Sequence, residues 1–250
     1  MLRGMRGALV RVGIDQAFGH WNAPVDPVTG DFAYVPIPDG AQRAGLETSY
    51  RDIEPGLSRF PNVSLPAQLL AQATHLDPDF EHLTYGDNGV RRGRELSEFQ
   101  GGDVVAFFAG LRPVTAWRDP LLYGLIGIYR VRDVVRLESV PRKLWSHNAH
   151  TRRAEHCGTD IIVRAVPGES GRLRKAIPIG EWRAGAYRVR RDLLEAWGDI
   201  SSRDGYIQRS AVPPRLLNPS RFLEWLEAQR PEFLPENNPT GGGPWGQRGS

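Results

Sequence analysis

The chain has 250 residues, of which 40% are hydrophobic and 24% charged, and these proportions are those of an ordinary globular protein. They exclude a disordered, collagen-like or disulfide-built chain. No apolar run reaches the roughly 18 residues that a membrane helix needs, and the short apolar run Ala8–Val10 is too brief for a signal peptide. The single cysteine, Cys157, fits a reducing compartment, so we expect a cytoplasmic protein without membrane association.

Charge is distributed unevenly along the chain. The formal net charge is +3, and 30 of the 32 basic residues are arginine. Between Arg130 and Arg191, 15 basic side chains accompany six acidic ones, which gives this stretch a charge of +9 and the remainder −6. A basic stretch within an acidic chain is typical of a localised anion-binding surface. The alternative is a set of exposed strand faces whose arginines point in several directions.

The N-terminal third predicts two strands and a helix. Ala8–Ile14 is apolar and rich in β-branched residues, which indicates a strand. Phe32–Ile37 also has strand character, but two prolines near its end cannot donate ladder hydrogen bonds, so we expect it at a sheet edge. The stretch Pro66–Ala73 predicts a helix with Ser64 as its N-cap.

The clearest strand signals lie in the middle of the chain. Asp103–Phe108 and Tyr123–Val131 are rich in β-branched and aromatic residues, and they are predicted to pair as neighbours in one sheet. Gly124 and Gly127 predict bends in the second strand. The further predicted elements are two short strands, Asp160–Val166 and Ala176–Ile179, and two helices, Asp192–Trp197 and Pro219–Gln229, the latter capped by Asn218.

Together these elements predict an α+β fold, with a mixed curved sheet or small β-barrel flanked by helices. We expect one domain over residues 1–235 and a disordered tail over residues 236–250, since the tail has no packing periodicity. The sequences Gly102–Phe108 and Gly124–Val131 are similar to central strands of PUA-like barrels. That resemblance implies a module of the kind that binds RNA or reads modified bases.

A second resemblance extends over roughly residues 7 to 235. It is carried by the following segments: Val12–Asp15, Trp21–Pro24, Tyr34–Pro38, His75–Phe80, Thr84–Asp87, Asn148–His150 and Arg172–Leu173. Together they resemble the third family of nucleotide-modification-associated domains. The resemblance implies association with systems that make, read or remove modified bases in DNA, including those of phages and their hosts. It supplies no catalytic residues.

The densest group of polar residues lies within the basic stretch and predicts a nucleic-acid site. Trp145 is a candidate for stacking on an unpaired base, while Asn148 and His150 are candidates for reading a base edge. Trp21 and Tyr123 are the further candidate walls of an aromatic pocket. The candidate phosphate-binding residues are Arg152, Arg153, Arg172 and Arg174. The alternative is a polar loop anchored by one buried tryptophan.

Two groups of residues have the composition of a metal site. His147, His150, His156 and Cys157 could fill a tetrahedral zinc site, but two of them are adjacent and no second cysteine pair exists. In the segment His75–His82, alternation places His75, Asp77 and Asp79 on one side, as oxygen-rich ligands for a cation. Asp-Pro-Asp is also an everyday turn, and that interpretation is favoured, so no metal ligand is predicted, while the cofactor and a metal dependence of the activity stay open.

These observations favour a protein that binds nucleic acid or nucleotides and recognises a modified base, with DNA favoured over RNA as partner. The rival hypothesis is an enzyme that hydrolyses or modifies bases, in which the catalytic candidates are Asp15, Asp77, Asp79 and His150. Asp15 has a simpler interpretation as a loop-capping acceptor. A third hypothesis is a scaffold whose basic stretch binds an acidic protein. The sequence leaves the oligomeric state open.

Overall fold

The structure is a computed structural model that describes residues 3–90, 93–209 and 212–239. Within these ranges the chain forms the strands β1 (Gly7–Arg11), β2 (Pro24–Val25), β3 (Ile37–Asp39), β4 (Ala73–His75), β5 (Thr84–Asn88), β6 (Val104–Pro113), β7 (Leu122–Arg136), β8 (Asp160–Ala165), β9 (Gly171–Pro178), β10 (Gly180–Arg183), β11 (Ala186–Val189) and β12 (Phe233–Leu234). The α-helices in the same ranges are α1 (Tyr50–Ile53), α2 (Ala67–Leu70), α3 (Ala149–Arg152), α4 (Arg191–Trp197) and α5 (Pro219–Ala228). Short 3-10 helices lie at Glu54–Leu57, Leu96–Glu98, Leu137–Ser139, Arg142–His147 and Arg203–Gly205.

Strands β6 and β7 form the centre of the main sheet, as the sequence predicted. They pair antiparallel, and the other side of β7 pairs with β9 along its first half and with β8 along its second. Strands β1 and β2 join β6 in parallel, β5 joins β8, and β12 joins β9. Two separate pairs, β3 with β4 and β10 with β11, are antiparallel.

The main sheet is open, and the fold is α+β. In the order of paired strands, β1 and β5 occupy opposite ends, and the described strands include no pairing between them. The predicted PUA-like barrel is therefore not formed, and the curved mixed sheet is the form that the chain adopts. Irregularities in the ladders lie between Leu125 and Gly127 and between Val131 and Asp133, so the long β7 bends where it changes partners.

Both faces of β6 are buried, which explains its continuous apolar sequence. Val105 and Phe107 point into one core, whereas Ala106 and Phe108 point into the other. The second core is covered by α4 and α5, where the rings of Trp197 and Phe222 meet edge-to-face with centroids 5.1 Å apart. Burying a side chain such as Phe222 stabilises the fold by about 1.5–3 kcal/mol.

The helices near the C-terminus follow their sequence signals closely. The side chain of Asn218 caps α5 by accepting the Arg221 N–H at 3.2 Å, and Pro219 occupies the first helical turn, as predicted. In contrast, the helix predicted at 66–73 shortens to α2, and Ser64 does not cap it because Pro66 holds the N-cap position. Among the described residues no helix combines the length and apolar character needed to cross a bilayer.

The other face of the sheet is covered by N-terminal segments rather than by an edge strand. Phe32–Val35 is fully buried, and the N–H of Ile14 donates to Val35 O at 2.7 Å. The regular strand β3 begins only at Ile37. The predicted edge strand at 32–37 is therefore a buried connecting segment, because its apolar side chains contribute to the core while its prolines limit ladder pairing.

Residues 236–239 pack against the domain, although the sequence placed them in a disordered tail. The Phe80 N–H donates to Asn237 Oδ1 at 2.8 Å, and the Tyr34 N–H donates to Asn238 Oδ1 at 2.8 Å. Two asparagine side chains thus satisfy backbone groups of buried segments, a role that leaves no periodic signal in the sequence. Residues 240–250 of the predicted tail lie outside the described residues.

Candidate functional site

Three buried side chains from separate parts of the chain converge on one point. His75 ends β4, Asp77 follows it by two residues, and His150 lies on α3. Oδ2 of Asp77 is 3.8 Å from Nε2 of His75 and 3.6 Å from Nε2 of His150. One ligand atom from each of the three side chains lies within 4.8 Å of the other two. We call these residues the His-Asp-His cluster.

Each histidine of the cluster contacts a further carboxylate through Nδ1, the ring nitrogen that faces away from Asp77. Nδ1 of His75 lies 3.1 Å from Asp39 Oδ2, and Nδ1 of His150 lies 2.9 Å from Asp160 Oδ2. Because a carboxylate only accepts, each Nδ1 is assigned as the donor; Nη2 of Arg153 also lies 3.3 Å from Nδ1 of His75. Strands β3 and β8 supply these two acids, since Asp39 ends the former and Asp160 begins the latter. Each hydrogen bond fixes the ring orientation and leaves the Nε2 lone pair directed at the cluster.

The electrostatics of the site suit a neutral His75 ring and an Asp77 carboxyl group that ionises only beside a positive charge. Burial lowers the pKa of His75 to about 4, which makes its ring neutral at pH 7. Burial would raise the pKa of Asp39 and of Asp160, but the hydrogen bonds to His75 and His150 bring both below the ordinary value. Burial raises the pKa of Asp77 well above its ordinary value, so its ionised form requires a compensating positive charge.

Strand β5 and the start of α3 hold Asp77 in place. The Gly86 N–H donates to both carboxylate oxygens of Asp77 at 2.9 Å, and Nδ2 of Asn148 donates to Oδ1 at 3.3 Å. Oδ1 of Asn148 caps α3 by accepting the His150 N–H at 2.9 Å. A Cβ on Gly86 would lie 2.3 Å from Cδ2 of His150, so only glycine allows this close approach.

The His-Asp-His cluster opens into a cavity of about 520 Å³. Its wall includes the aromatic side chains Phe18, Tyr85 and Phe108 and the guanidinium groups of Arg11 and Arg209. This volume lies in the range of about 300–1,000 Å³ that is usual for small-molecule sites. A buried polar cluster that faces such a cavity is accessible to a ligand while remaining shielded from bulk water.

The geometry of the cluster suits a divalent transition metal. Two atoms bound to one ion at about 2.1 Å lie about 3.0–3.4 Å apart in octahedral or tetrahedral geometry. The two distances to Asp77, 3.6 and 3.8 Å, need to close by a few tenths of an ångström, and the third pair of ligand atoms, one on each histidine, lies within 4.8 Å. Two imidazole nitrogens and one carboxylate are the ligand set of non-haem iron(II) sites, and a similar set binds catalytic zinc.

Of the predicted catalytic candidates, only Asp77 and His150 belong to the cluster. Asp79 is fully buried away from it, where Nη2 of Arg152 donates to its Oδ2 at 2.8 Å. Asp15 lines the cavity, but its Oδ1 accepts the N–H of Ala17 at 2.7 Å and the N–H of Phe18 at 2.8 Å, as the capping interpretation predicts.

Two residues predicted to contact a base, Asn148 as an edge reader and Trp145 as a stacking ring, are held by contacts within the protein. Asn148 is 2% exposed, and its side chain is committed to Asp77, Thr84 and the cap of α3. Nε1 of Trp145 donates to Val140 O at 3.1 Å, and the guanidinium of Arg43 covers its ring at 4.3 Å.

The predicted aromatic walls also lie elsewhere. Trp21 packs against the first core, while Tyr123 is buried and stacks on Tyr187 with ring centroids 4.1 Å apart. Neither of them lines the cavity.

The four predicted phosphate-binding arginines do not share a free surface. Arg152 and Arg172 are buried, and Nη2 of Arg172 donates to Phe32 O at 2.6 Å. Arg153 pairs with Asp39 at 2.9 Å, and the exposed Arg174 pairs with Glu232 at 2.6 Å. These residues serve the fold, as the alternative of separately directed arginines had allowed.

The residues proposed for the tetrahedral zinc site do not come together in the structure. His147 stacks on His82 with ring centroids 4.1 Å apart, His156 contacts Arg43, and Cys157 is exposed beside Thr159. Within the described ranges, the group of side chains close enough to share an ion is the His-Asp-His cluster. The His-x-Asp spacing was the available signal for it, and nothing in the sequence marked Asp39.

The protein is therefore an α+β protein in which a buried cluster of two histidines and one carboxylate lies at the floor of a ligand-sized cavity. The family described as nucleotide modification associated domain 3 matches residues 6–209, and the chain belongs to that family. Neither a curated protein nor a solved structure matches the chain. The family places the protein in the context of nucleotide modification, and every residue of the His-Asp-His cluster lies within the matched range.

Proposed function

We propose that the protein is a metal-dependent enzyme that modifies the base of a nucleotide, either free or within DNA. His75, Asp77 and His150 hold the metal ion, and the cavity above them holds the base. The observation that carries this proposal is the convergence of two Nε2 atoms and one carboxylate oxygen, with both histidines fixed from behind by Asp39 and Asp160.

The arrangement of hydrogen bonds favours an ion over a purely structural cluster. The Nε2 atoms of both histidines face the Asp77 carboxyl group. Burial raises the pKa of Asp77, and a divalent cation between the three side chains would supply the positive charge that its carboxylate needs. Acids that orient metal-bound histidines through the second ring nitrogen are a general feature of metal sites.

The same contacts weigh against a protein that only reads bases. A reader needs side-chain donors and acceptors that are free to meet a base edge. Asn148, the strongest candidate for that role, is buried and satisfied within the protein. The enzyme hypothesis gives the buried cluster a purpose that the reader hypothesis does not.

Iron(II) is the ion that best fits the ligand set. Held by three protein ligands, iron(II) would supply oxygenase chemistry, with O2 as the oxidant and an external two-electron reductant that allows the second oxygen atom to leave as water. Zinc held by the same residues would instead activate water for hydrolysis. The protein's own contribution is the same in either case: two oriented imidazoles, the Asp77 carboxyl group and a cavity that limits water.

Metal analysis tests the proposal directly. The full chain is reconstituted anaerobically with iron(II) or with zinc and passed through gel filtration. We expect it to retain about one ion per chain, as measured by inductively coupled plasma mass spectrometry. His150→Ala and Asp77→Ala should lose that ion. His147→Ala is the matched control, because it removes a histidine outside the cavity, and it should retain the ion. Equal metal content in all four proteins would refute the site.

Turnover tests the second half of the proposal. Deoxynucleotides and a single-stranded oligonucleotide are incubated in air with the iron-loaded protein and ascorbate as two-electron reductant, or with the zinc-loaded protein, and are analysed by mass spectrometry. A mass change in the base that requires wild-type His150 supports base modification. If the protein binds one ion but the base of every substrate stays unchanged, the protein has a metal site without the proposed activity, and the proposal of base modification is contradicted.

A further inference from the structure

We infer that Phe18 and Arg209 form a nucleotide subsite in the cavity, which takes a base carrying a 5′-phosphate. The inference rests on the proposed function, because it assigns the substrate of the same site. Both side chains line the cavity that contains His75, Asp77 and His150, and both are exposed. Phe18 stacks on the base and Arg209 binds the phosphate.

Phe18 is a large apolar side chain that is presented to solvent by a well-held loop. It is 55% exposed. Its backbone N–H donates to Asp15 Oδ1 at 2.8 Å, and Gly19, with a φ of +93°, packs closely against Ile14. An aromatic ring that is fixed in position but open on its face suits stacking on a nucleobase, a contact that tolerates any base.

Arg209 is the arginine of the cavity wall that has a free guanidinium. It forms no ion pair or hydrogen bond with another residue in the part of the chain that the structure describes. Arg11, in the same wall, is by contrast paired with Asp15 at 2.8 Å. A guanidinium group can donate two parallel hydrogen bonds to a phosphate, so Arg209 is available for that ligand.

Arg11 ties the two halves of the subsite together. One of its nitrogens pairs with Asp15, which caps the Phe18 loop, and another donates to the backbone oxygen of Gln208, next to Arg209. Gln208 is also held by its side chain, whose Oε1 accepts the Tyr187 N–H at 3.0 Å. The Phe18 loop and the backbone next to Arg209 are therefore linked through Arg11.

Asp15, in the same cavity wall, is paired with Arg11 at 2.8 Å. A cavity of about 520 Å³ accommodates one nucleotide and excludes a duplex. A free mononucleotide and a nucleotide flipped out of DNA present the same base and 5′-phosphate, so both are sources of this ligand.

Binding measurements on the full chain test the subsite. Thymidine and thymidine 5′-monophosphate are titrated by calorimetry, followed by the three other deoxynucleosides and their monophosphates. We expect the monophosphate to bind about tenfold tighter than its nucleoside, since a charge-assisted phosphate contact is gained. Arg209→Ala should abolish this difference and leave nucleoside affinity unchanged, and Phe18→Ala should weaken both ligands about fivefold or more.

The controls are exposed side chains of the same type outside the cavity. Arg51→Ala and Trp182→Ala should bind both ligands as the wild type does. Equal affinity of the wild type for nucleoside and monophosphate, no binding of either ligand, or an unchanged difference in Arg209→Ala would overturn the inference. Circular dichroism verifies that each variant is folded, which we expect because both substituted side chains are exposed.

A competition arm separates the two sources of the ligand. If a single-stranded deoxyoligonucleotide displaces the monophosphate, and both Phe18→Ala and Arg209→Ala weaken this displacement, the natural ligand is a nucleotide within DNA. No displacement identifies the free nucleotide. Because these experiments measure binding without turnover, and metal content is measured separately, failure of the subsite and failure of the metal-dependent activity give different results.

Discussion

Nδ1 of His150 donates a hydrogen bond of 2.9 Å to Oδ2 of Asp160, the first residue of β8. This contact fixes the tautomer in which the lone pair of Nε2 is directed at Asp77. It also links the short helix α3 to the main sheet, so that the position of the imidazole depends on the position of a strand. Asp160 is accordingly a positioning residue for the proposed metal site.

Asp160→Asn should weaken metal binding by about 10- to 100-fold without removing any ligand, because a neutral amide orients the His150 ring less strongly. The dissociation constant of the reconstituted ion, measured by competition with a chelator, gives the result. Asp192→Asn changes an acid that pairs with Arg190 at the surface and should leave metal binding unchanged. A wild-type dissociation constant for Asp160→Asn would show that this hydrogen bond does not support the site.

Gly86→Ala should abolish metal binding while Gly40→Ala retains it. The Cβ introduced at position 86 would lie 2.3 Å from Cδ2 of His150 and 2.8 Å from Oδ1 of Asn148, so both residues must shift. Gly40 has nothing within 4 Å of the position of a Cβ. Metal content is compared after circular dichroism has shown both variants to be folded. Retention of the ion by a folded Gly86→Ala would mean that the described packing is wrong.

The comparison of sequence and structure shows which signals are local. The pairing of β6 with β7 and the cap of α5 by Asn218 were predicted correctly, because strand composition and capping are written in neighbouring residues. Whether the sheet closes into a barrel was not predicted correctly, because closure depends on which strands from distant parts of the chain pair with each other. A barrel and an open curved sheet share the same central strands.

The candidate site divides in the same way. Asp77 and His150 were predicted as functional candidates, and the His-x-Asp alternation placed His75 beside Asp77. His75 and His150 lie 75 positions apart in the chain and meet only in the tertiary structure. A single sequence contains no signal for such a contact. The clustering of arginines did not show which of them reach the surface: Arg152 and Arg172 are buried, whereas Arg174, two residues beyond Arg172, is exposed.

Asn237→Ala should destabilise the domain by about 1–3 kcal/mol, because it leaves the backbone N–H of Phe80 without its acceptor. The variant also loses the hydrogen bond of 3.0 Å that Nδ2 of Asn237 donates to Asp79. Urea unfolding followed by tryptophan fluorescence measures the change. Glu236→Ala, one residue earlier, should have little effect, and equal stability of both variants would return residues 236–239 to the status of an unpacked tail.

Arg152→Ala should reduce stability strongly while leaving the affinity for an oligonucleotide or nucleotide unchanged. Its guanidinium is buried and pairs with Asp79, and its removal leaves that buried carboxylate with only His82 and Asn237 as side-chain partners among the described residues, which costs about 3 kcal/mol, the lower end for a broken buried ion pair. Arg174→Ala is the control, because its ion pair with Glu232 is exposed and contributes little. Urea unfolding gives the stability and calorimetric titration gives the affinity. A stable Arg152→Ala variant that binds more weakly and with a flatter salt dependence would instead assign Arg152 to phosphate contact, since the loss of one such contact lowers the number of counterions released.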